Sequence, residues 1–159
     1  MKREYSLLKL LKKHKLTLSL AESCTGGLIA KAITDIPGSS EIFKYGVVSY
    51  SNESKQKILK VRKNTLKRYG AVSEHTAREM AEGVQKILST DISAAVTGIA
   101  GPGGGMPDKP VGTVYIGIKI FNKTSVYKFK FSGSREQIRE QTKNKTLNLI
   151  YKGIKETIS

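Results

Sequence analysis

The feature that most constrains the fold is a short apolar segment that leads through a small-residue turn into a helical pattern. Leu16–Leu20 alternates between apolar and polar residues as a β-strand does, Glu22–Gly27 is polar and ends in two glycines, and Leu28–Ile33 has helical spacing. A strand, a tight turn and a helix in this order are typical of proteins in which helices cover a sheet.

The rest of the chain first continues this alternation of strands and helices and then has two strands in succession. Further strands are predicted at Tyr45–Tyr50, Ile92–Thr97, Gly112–Phe121 and Thr124–Phe131. Further helices are predicted at Glu4–Lys15, from a cap at Ser51 or Asn52 through Lys55 to Leu59, from the cap Ser73 to Leu88, and at Ser134–Ile154. Only Asn122 and Lys123 separate the last two strands, which indicates an antiparallel hairpin. The sequence therefore predicts one α/β domain over residues 1–159, a three-layer α/β/α arrangement with a mixed, mostly parallel sheet that ends in an antiparallel hairpin.

Composition excludes several classes of protein. Cys24 is the only cysteine, so no internal disulfide can form, and His14 and His75 are the only histidines. No metal site is therefore expected. Lysines interrupt the leucine-rich N-terminal segment, which leaves no apolar stretch long enough for a signal peptide or a membrane span. We expect a cytoplasmic protein.

The net charge of +15 allows two interpretations. Such an excess attracts nucleic acid, anionic lipid or phosphorylated small molecules. However, only six of the 28 basic residues are arginines, there is no tryptophan, and the basic residues are spread over all the predicted helices. Because base recognition depends on arginine and aromatic rings, a solvated lysine-rich surface is favoured over a nucleic-acid or membrane partner.

Two glycine-rich turns follow predicted strands, at Glu22–Gly27 and Gly98–Gly105. Exposed backbone N–H groups at such turns bind anions, and α/β sheets bind ligands where their strands end. Together they suggest a phosphorylated ligand, although neither turn matches the P-loop or the dinucleotide-binding pattern. For the second turn, a simple flexible connection is the alternative.

Three side chains in the first turn, Ser23, Cys24 and Thr25, are candidate nucleophiles. The start of a helix lowers a thiol pKa, so a cysteine hydrolase is one hypothesis. The alternative is that Ser23 and Thr25 cap the helix while Cys24 packs in the core. Neither histidine has a partner pattern that suggests a catalytic triad.

A second constellation consists of Ser40, Tyr50 and Lys55. A lysine acts as a general base only when neutral, and burial or the start of a helix lowers its pKa. From spacing alone, chance is the simpler explanation because serine and lysine are abundant here.

Several separated motifs resemble one family, the CinA C-terminal domain or nicotinamide-nucleotide amidase family. The motifs are Ala21–Gly27, Pro37–Ser40, Val48–Asn52, Gly70–Ser73 and Thr97–Pro102. The resemblance covers essentially the whole chain. It implies an enzyme that hydrolyses nicotinamide mononucleotide to nicotinate mononucleotide and ammonia in the recycling of pyridine nucleotides, without a metal or cofactor. Many members carry a further N-terminal domain with pyrophosphatase activity, which we do not expect here because the sequence begins at the amidase part.

The resemblance also implies a Ser-Lys mechanism, with Ser40 as nucleophile, Tyr50 as hydroxyl partner and Lys55 as base. Backbone N–H groups at Gly38–Ser40 are then expected to stabilise the oxyanion. The expected substrate-binding residues are Glu22, Ser23, Thr25, Gly26, Gly27, Thr97, Gly98, Ala100 and Gly101, with Arg135 or Arg139 holding the phosphate. A homo-oligomer is expected. Two alternatives stay open, a cysteine amidase that uses Cys24 and a non-catalytic module that binds nucleotides or nucleic acid.

Overall fold

A five-stranded sheet forms the centre of the structure, a computed structural model that describes residues 2–159. The strands are β1 (Leu18–Glu22), β2 (Phe43–Val48), β3 (Ile92–Gly98), β4 (Thr113–Ile120) and β5 (Lys123–Lys130). Their order across the sheet is β2-β1-β3-β4-β5. Strand β1 is parallel to both β2 and β3, whereas β4 and β5 are antiparallel to their neighbours.

Helices cover both faces of this sheet. They are α1 (Arg3–Lys13), α2 (Leu28–Thr34), α3 (Asn52–Lys57), α4 (Lys63–Tyr69), α5 (Glu74–Leu88) and α6 (Arg135–Ile158). Helices α1, α2 and α6 pack on one face, and α5 packs on the other together with the segment around α3 and α4. The predicted α/β/α class with a mixed sheet and a terminal hairpin is therefore confirmed.

The two central parallel strands show why the sheet is covered on both sides. All five residues of β1 are buried, as are the first six of β3. A strand buried on both faces needs an apolar or small side chain at every position, which the segments Leu18–Ala21 and Ile92–Val96 provide. Strand β5, by contrast, lies at the edge of the sheet and is largely exposed.

The register of the parallel strands determines where the loops meet. Glu22, the last residue of β1, lies opposite Val48 of β2 and Val96 of β3. The residues that follow these strands therefore lie side by side at one edge of the sheet, as expected of parallel strands. This edge, which we call the carboxyl edge, holds the candidate site.

Three serines cap helices as their positions predict. The hydroxyl groups of Ser51, Ser73 and Ser134 accept hydrogen bonds from the backbone N–H groups of Ser54, Thr76 and Gln137. The hairpin turn consists of Phe121 and Asn122, one residue earlier than predicted. Helix α4 was not predicted. No helix within residues 2–159 combines the length and the apolar character that crossing a bilayer requires.

Candidate active site

A cavity of about 270 Å³ lies at the carboxyl edge, slightly smaller than the roughly 300 Å³ at which small-molecule sites usually begin. Its lining comes from the segments after β1, β2 and β3, from the α4–α5 connection and from the start of α6. The lining residues are Ser23, Cys24, Tyr50, Lys55, Ala71, Val72, Thr97, Gly98, Ile99, Ala100, Gly101, Gly103, Gly104 and Arg135. A larger depression between α1 and α6 contains no comparable group of reactive side chains.

The amine of Lys55 is the most unusual group in this cavity. Lysine is rarely buried, yet only 1% of Lys55 is exposed. Its Nζ donates to the carbonyl oxygen of Ser49 at 2.8 Å and lies 3.1 Å from Oγ of Ser23. Burial lowers the pKa of Lys55, opposed in part by the nearby Cys24. No carboxylate within residues 2–159 forms an ion pair with it. Burial therefore favours the neutral amine, the form that can accept a proton.

Ser23 is held by the sheet itself. Its N–H continues the ladder beyond β1 by donating to the carbonyl oxygen of Val96 at 3.1 Å. On the other side, the N–H of Ser49 donates to the carbonyl oxygen of Glu22 at 2.8 Å. The hydroxyl of Ser23 and the carbonyl that orients Lys55 are thus both fixed by strands β1, β2 and β3. A hydroxyl 3.1 Å from a buried amine is the geometry of a Ser-Lys pair.

Cys24 does not have the properties of a nucleophile. The residue is 6% exposed and belongs to the apolar core. Burial raises the pKa of its thiol to about 11, and Arg139 and Lys55 offset this only in part. The thiol therefore stays protonated at neutral pH, and a neutral thiol is a poor nucleophile.

The predicted pairing of Ser40 with Lys55 is wrong. Ser40 lies in a 3-10 turn, Ser39–Glu41, before β2, whereas Lys55 follows that strand. Strand β2 advances about 3.3 Å per residue, so its six residues separate the two by roughly 16 Å. Ser40 is exposed at the opposite edge of the sheet, where its carbonyl oxygen accepts a hydrogen bond from Lys44. The Gly38–Ser40 turn is equally remote and cannot supply the oxyanion donors.

Tyr50 lines the cavity, but its hydroxyl is bonded to an arginine. The side chain is 62% exposed, and its oxygen accepts a hydrogen bond from Nη2 of Arg135 at 3.0 Å. Nη1 of Arg135 donates to the carbonyl oxygen of Gly101 at 2.7 Å. Arg135 therefore connects two walls of the cavity, and both of its acceptors are uncharged.

Four of the predicted binding residues do not line the cavity. The carboxylate of Glu22 is 1% exposed and accepts hydrogen bonds from the N–H groups of Gly27, Ile29 and Ala30, so it caps α2. Thr25 is fully buried. Gly26 and Gly27 have φ angles of +58° and +102°, which glycine adopts readily, and they form the turn into α2. The predicted role in substrate binding is wrong for these residues because they face the start of α2.

Arg139 is also occupied elsewhere. Its Nε donates to the carbonyl oxygen of Cys24 at 3.0 Å, and its Nη2 donates to that of Thr25 at 2.8 Å. Of the two arginines considered for the phosphate, only Arg135 lines the cavity.

A sequence model of the CinA C-terminal domain matches residues 2–154. The chain belongs to the CinA C-terminal domain family.

Relatives and solved structures agree with this family. The chain is 58% identical over 142 residues to a CinA-like protein of Endomicrobium trichonymphae, covering 89% of this chain and 33% of that protein. It is 47% identical over 155 residues to a CinA-like protein of Thermotoga neapolitana, covering 98% of this chain and 38% of the relative. The chain thus spans about a third of the length of such relatives.

The fold is also found in crystal structures of CinA relatives. A competence or damage-inducible protein from Enterobacter asburiae has a TM-score of 0.93 and 36% identity, with 96% of both chains covered. A competence/damage inducible protein from Agrobacterium tumefaciens has a TM-score of 0.91 and 39% identity, with 93% of this chain and 91% of that chain covered.

In this CinA-family chain, the second glycine-rich turn lines the cavity as predicted. Thr97, Gly98, Ala100 and Gly101 are all cavity residues. A Cβ at Gly98 would lie 2.7 Å from Cγ2 of Val114 and 2.9 Å from a backbone oxygen, so a larger residue does not fit there. The position is therefore restricted by the close approach of β4.

Two cavity residues, Ala71 and Val72, were missed as site residues. Thr97 holds their segment in place because its hydroxyl donates to the carbonyl oxygen of Ala71 at 2.8 Å. The Gly70–Ser73 motif was recognised in the sequence, but alanine and valine have no chemistry that marks them as ligand contacts.

The backbone of the turn beside Ser23 is largely enclosed. Thr25 has no exposed surface, and the N–H of Gly26 donates to the carbonyl oxygen of Ser23 at 3.0 Å. Within residues 2–159, no group of three or more histidine, cysteine or acidic residues is arranged to hold a metal ion.

Proposed function

We propose that this chain is a nicotinamide-nucleotide amidase, which hydrolyses nicotinamide mononucleotide to nicotinate mononucleotide and ammonia, with Ser23 as the nucleophile. The observation that carries the proposal is the 3.1 Å contact between Oγ of Ser23 and the buried Nζ of Lys55 inside the cavity. The substrate class comes from the family resemblance described above. The proposal replaces Ser40 with Ser23 and keeps the Ser-Lys chemistry.

The reaction begins when neutral Lys55 accepts the proton of the Ser23 hydroxyl. The serine oxygen attacks the carboxamide carbon and forms a tetrahedral intermediate with a negative oxygen. The carbonyl of Ser49 keeps one N–H of the amine occupied, which leaves the lone pair for Ser23. Tetrahedral collapse breaks the carbon–nitrogen bond, and Lys55 returns the proton to the departing ammonia.

Water completes the cycle. Lys55 takes a proton from water, the resulting hydroxide equivalent attacks the ester carbonyl on Ser23, and nicotinate mononucleotide leaves as the serine recovers its proton. The positively charged pyridinium ring of the substrate withdraws electrons from the carbonyl and makes both attacks easier. The mechanism uses no metal or cofactor.

Arg135 is the residue that we propose for the substrate phosphate. Its two hydrogen-bond acceptors, Tyr50 and the carbonyl of Gly101, are neutral, so a phosphate would be a stronger acceptor for the same guanidinium. Tyr50 then acts on substrate placement through Arg135. We also propose that the protein acts in the cytoplasm as a homodimer, without a nucleic-acid or membrane partner.

The buried cysteine argues against the alternative of a cysteine amidase. With a thiol pKa raised to about 11, Cys24 carries little thiolate at neutral pH. The net charge of +15 is the only feature that favours a nucleic-acid binding module, and it offers no account of the buried Lys55.

The test is ammonia release from nicotinamide mononucleotide by the wild type and by three variants. We expect Ser23→Ala to lose activity by about 10³-fold or more, whereas Ser40→Ala and Cys24→Ala stay close to the wild type. EDTA should have no effect. A wild type without activity would refute the substrate, and an active Ser23→Ala variant would refute the nucleophile. Salt-sensitive binding of DNA or RNA without ammonia release would favour the binding module.

A further inference from the structure

Arg139 contacts the turn beside Ser23 in a way that the proposed mechanism does not yet use. The residue lies in the second turn of α6, and its guanidinium reaches the turn 114 residues earlier in the sequence. There it donates to two consecutive carbonyl oxygens, those of Cys24 and Thr25, at 3.0 and 2.8 Å. No carboxylate within the described residues 2–159 pairs with Arg139. Its positive charge is therefore directed at these two peptide groups.

Both carbonyls belong to the turn that carries Ser23. Cys24 follows Ser23 directly in the chain, so a contact that fixes its carbonyl also restrains the backbone of Ser23. The carbonyl of Thr25 belongs to the same unit as the N–H of Gly26, which donates to the carbonyl oxygen of Ser23 at 3.0 Å. A cation that binds the oxygen of a peptide polarises it and makes its N–H a stronger donor.

The turn is shaped to accept the guanidinium. Gly26 has a φ of +58°, and a Cβ built on it would lie 3.1 Å from Nη2 of Arg139. A side chain at this position would push the arginine away from the turn. The same charge reaches the neighbouring thiol, because Arg139 counteracts part of the rise in the Cys24 pKa that burial causes.

We propose that Arg139 is a positioning residue for Ser23, acting through the Cys24 and Thr25 peptides and not by contact with the substrate. Its two hydrogen bonds hold the turn in place and strengthen the bond from the N–H of Gly26 to the carbonyl oxygen of Ser23. The proposal rests on the proposed function in one respect, the role of Ser23 as nucleophile.

The main experiment measures kcat and KM for ammonia release in Arg139→Ala and Arg139→Lys. A reacting group displaced by about 1 Å can lose about 10²-fold in rate, so loss of part of the support for the turn predicts a smaller loss in kcat of about tenfold, with KM within about twofold. Lysine keeps the charge but cannot bridge both carbonyls, and an intermediate kcat is expected. Guanidinium ion in solution should restore part of the kcat of Arg139→Ala.

Arg78→Ala is the matched control. Arg78 also donates to a distant backbone carbonyl, that of Thr124 at 3.0 Å, but it lies outside the cavity. We expect its kcat and KM to match the wild type. If Arg139→Ala raises KM and leaves kcat unchanged, Arg139 holds the substrate and the proposal is wrong. It is equally wrong if the loss of kcat equals the unfolded fraction measured by circular dichroism. If Arg139→Ala does not fold, the same readouts on Arg139→Lys decide.

A second readout separates this proposal from the choice of substrate. A fluorophosphonate reacts with an activated serine: its phosphorus forms a bond to the serine oxygen, fluoride leaves, and Lys55 takes the serine proton. The rate of labelling at Ser23, followed by mass spectrometry, should fall about tenfold in Arg139→Ala. Wild type that is labelled but releases no ammonia refutes only the substrate. Arg139→Ala that is labelled at the wild-type rate refutes the role of Arg139.

Discussion

Replacing Lys55 with methionine should abolish catalysis without unfolding the protein. Methionine has a similar length and no charge, so it can occupy the buried site where lysine is 1% exposed. Loss of a general base lowers the rate by about 10²–10⁴-fold, and ammonia release should fall by that factor. The serine oxygen of Ser23 would remain in place but would have no proton acceptor.

The effect of Lys55→Met on stability is the difference between two opposing terms. The carbonyl of Ser49 loses its donor, which costs about 1–3 kcal/mol. Against this, the variant no longer buries an amine whose pKa is lowered by burial, and each pKa unit of lowering corresponds to about 1.4 kcal/mol at a pH where both states are charged. We therefore expect the free energy of unfolding, measured in urea, to fall by less than the roughly 1–3 kcal/mol that the lost donor costs by itself.

The pH dependence of stability gives an independent test. Between the lowered pKa of folded Lys55 and the ordinary lysine pKa, the unfolded chain binds the proton more strongly than the folded protein. Stability should therefore rise with pH in this window, by up to about 1.4 kcal/mol per pH unit, and Lys55→Met should remove this contribution. Activity should rise with pH for the same reason, because the base must be neutral. Active Lys55→Met, or a variant whose stability keeps the wild-type pH slope, would refute the reasoning.

Three further changes address the cavity and its support. Arg135→Gln should raise the KM for nicotinamide mononucleotide by about 10–100-fold because the phosphate loses its partner. The KM for nicotinamide riboside, which lacks the phosphate, should stay nearly unchanged. Equal effects on both substrates would contradict a phosphate contact. Glu22→Ala should destabilise the protein by about 2 kcal/mol or more in urea unfolding, because one buried and two partly buried N–H groups lose their acceptor. An unchanged midpoint would contradict the capping role. Gly83→Ala should lower the thermal unfolding midpoint strongly, because the new Cβ would lie 1.8 Å from the carbonyl oxygen of Leu59. Gly103→Ala is the control and should leave the midpoint unchanged, because nothing lies within 4 Å of a Cβ at that position.

The elements with a strong periodic pattern were predicted close to their observed bounds. Helix α5 begins after its predicted cap Ser73 and buries one apolar face. Helix α4 was missed because its segment has little apolar periodicity of its own. It depends on tertiary contacts: Thr65 donates to the carboxylate of Glu79 on α5 at 2.6 Å, and Arg62 pairs with the same group.

The candidate site could likewise be predicted only in part. The turn at Glu22–Gly27 could be recognised as a region of chemistry because it follows a strand and contains several hydroxyl groups. The roles of its individual residues could not be predicted from the sequence, because adjacent side chains point in different directions. Ser23 faces Lys55, Cys24 enters the core and Glu22 turns to cap α2.

The sequence by itself determined the layered fold and the family, and it singled out Lys55 as a candidate base, because these depend on periodic patterns and on motifs that are local in the chain. Only the tertiary structure decided which serine meets that lysine. Ser40 is 15 positions from Lys55 in the sequence, but strand β2 lies between them and carries them to opposite edges of the sheet. Ser23 is 32 positions away, yet the parallel pairing of β1 with β2 brings it within 3.1 Å of the amine. Register across a sheet is a long-range property, and it sets this distance.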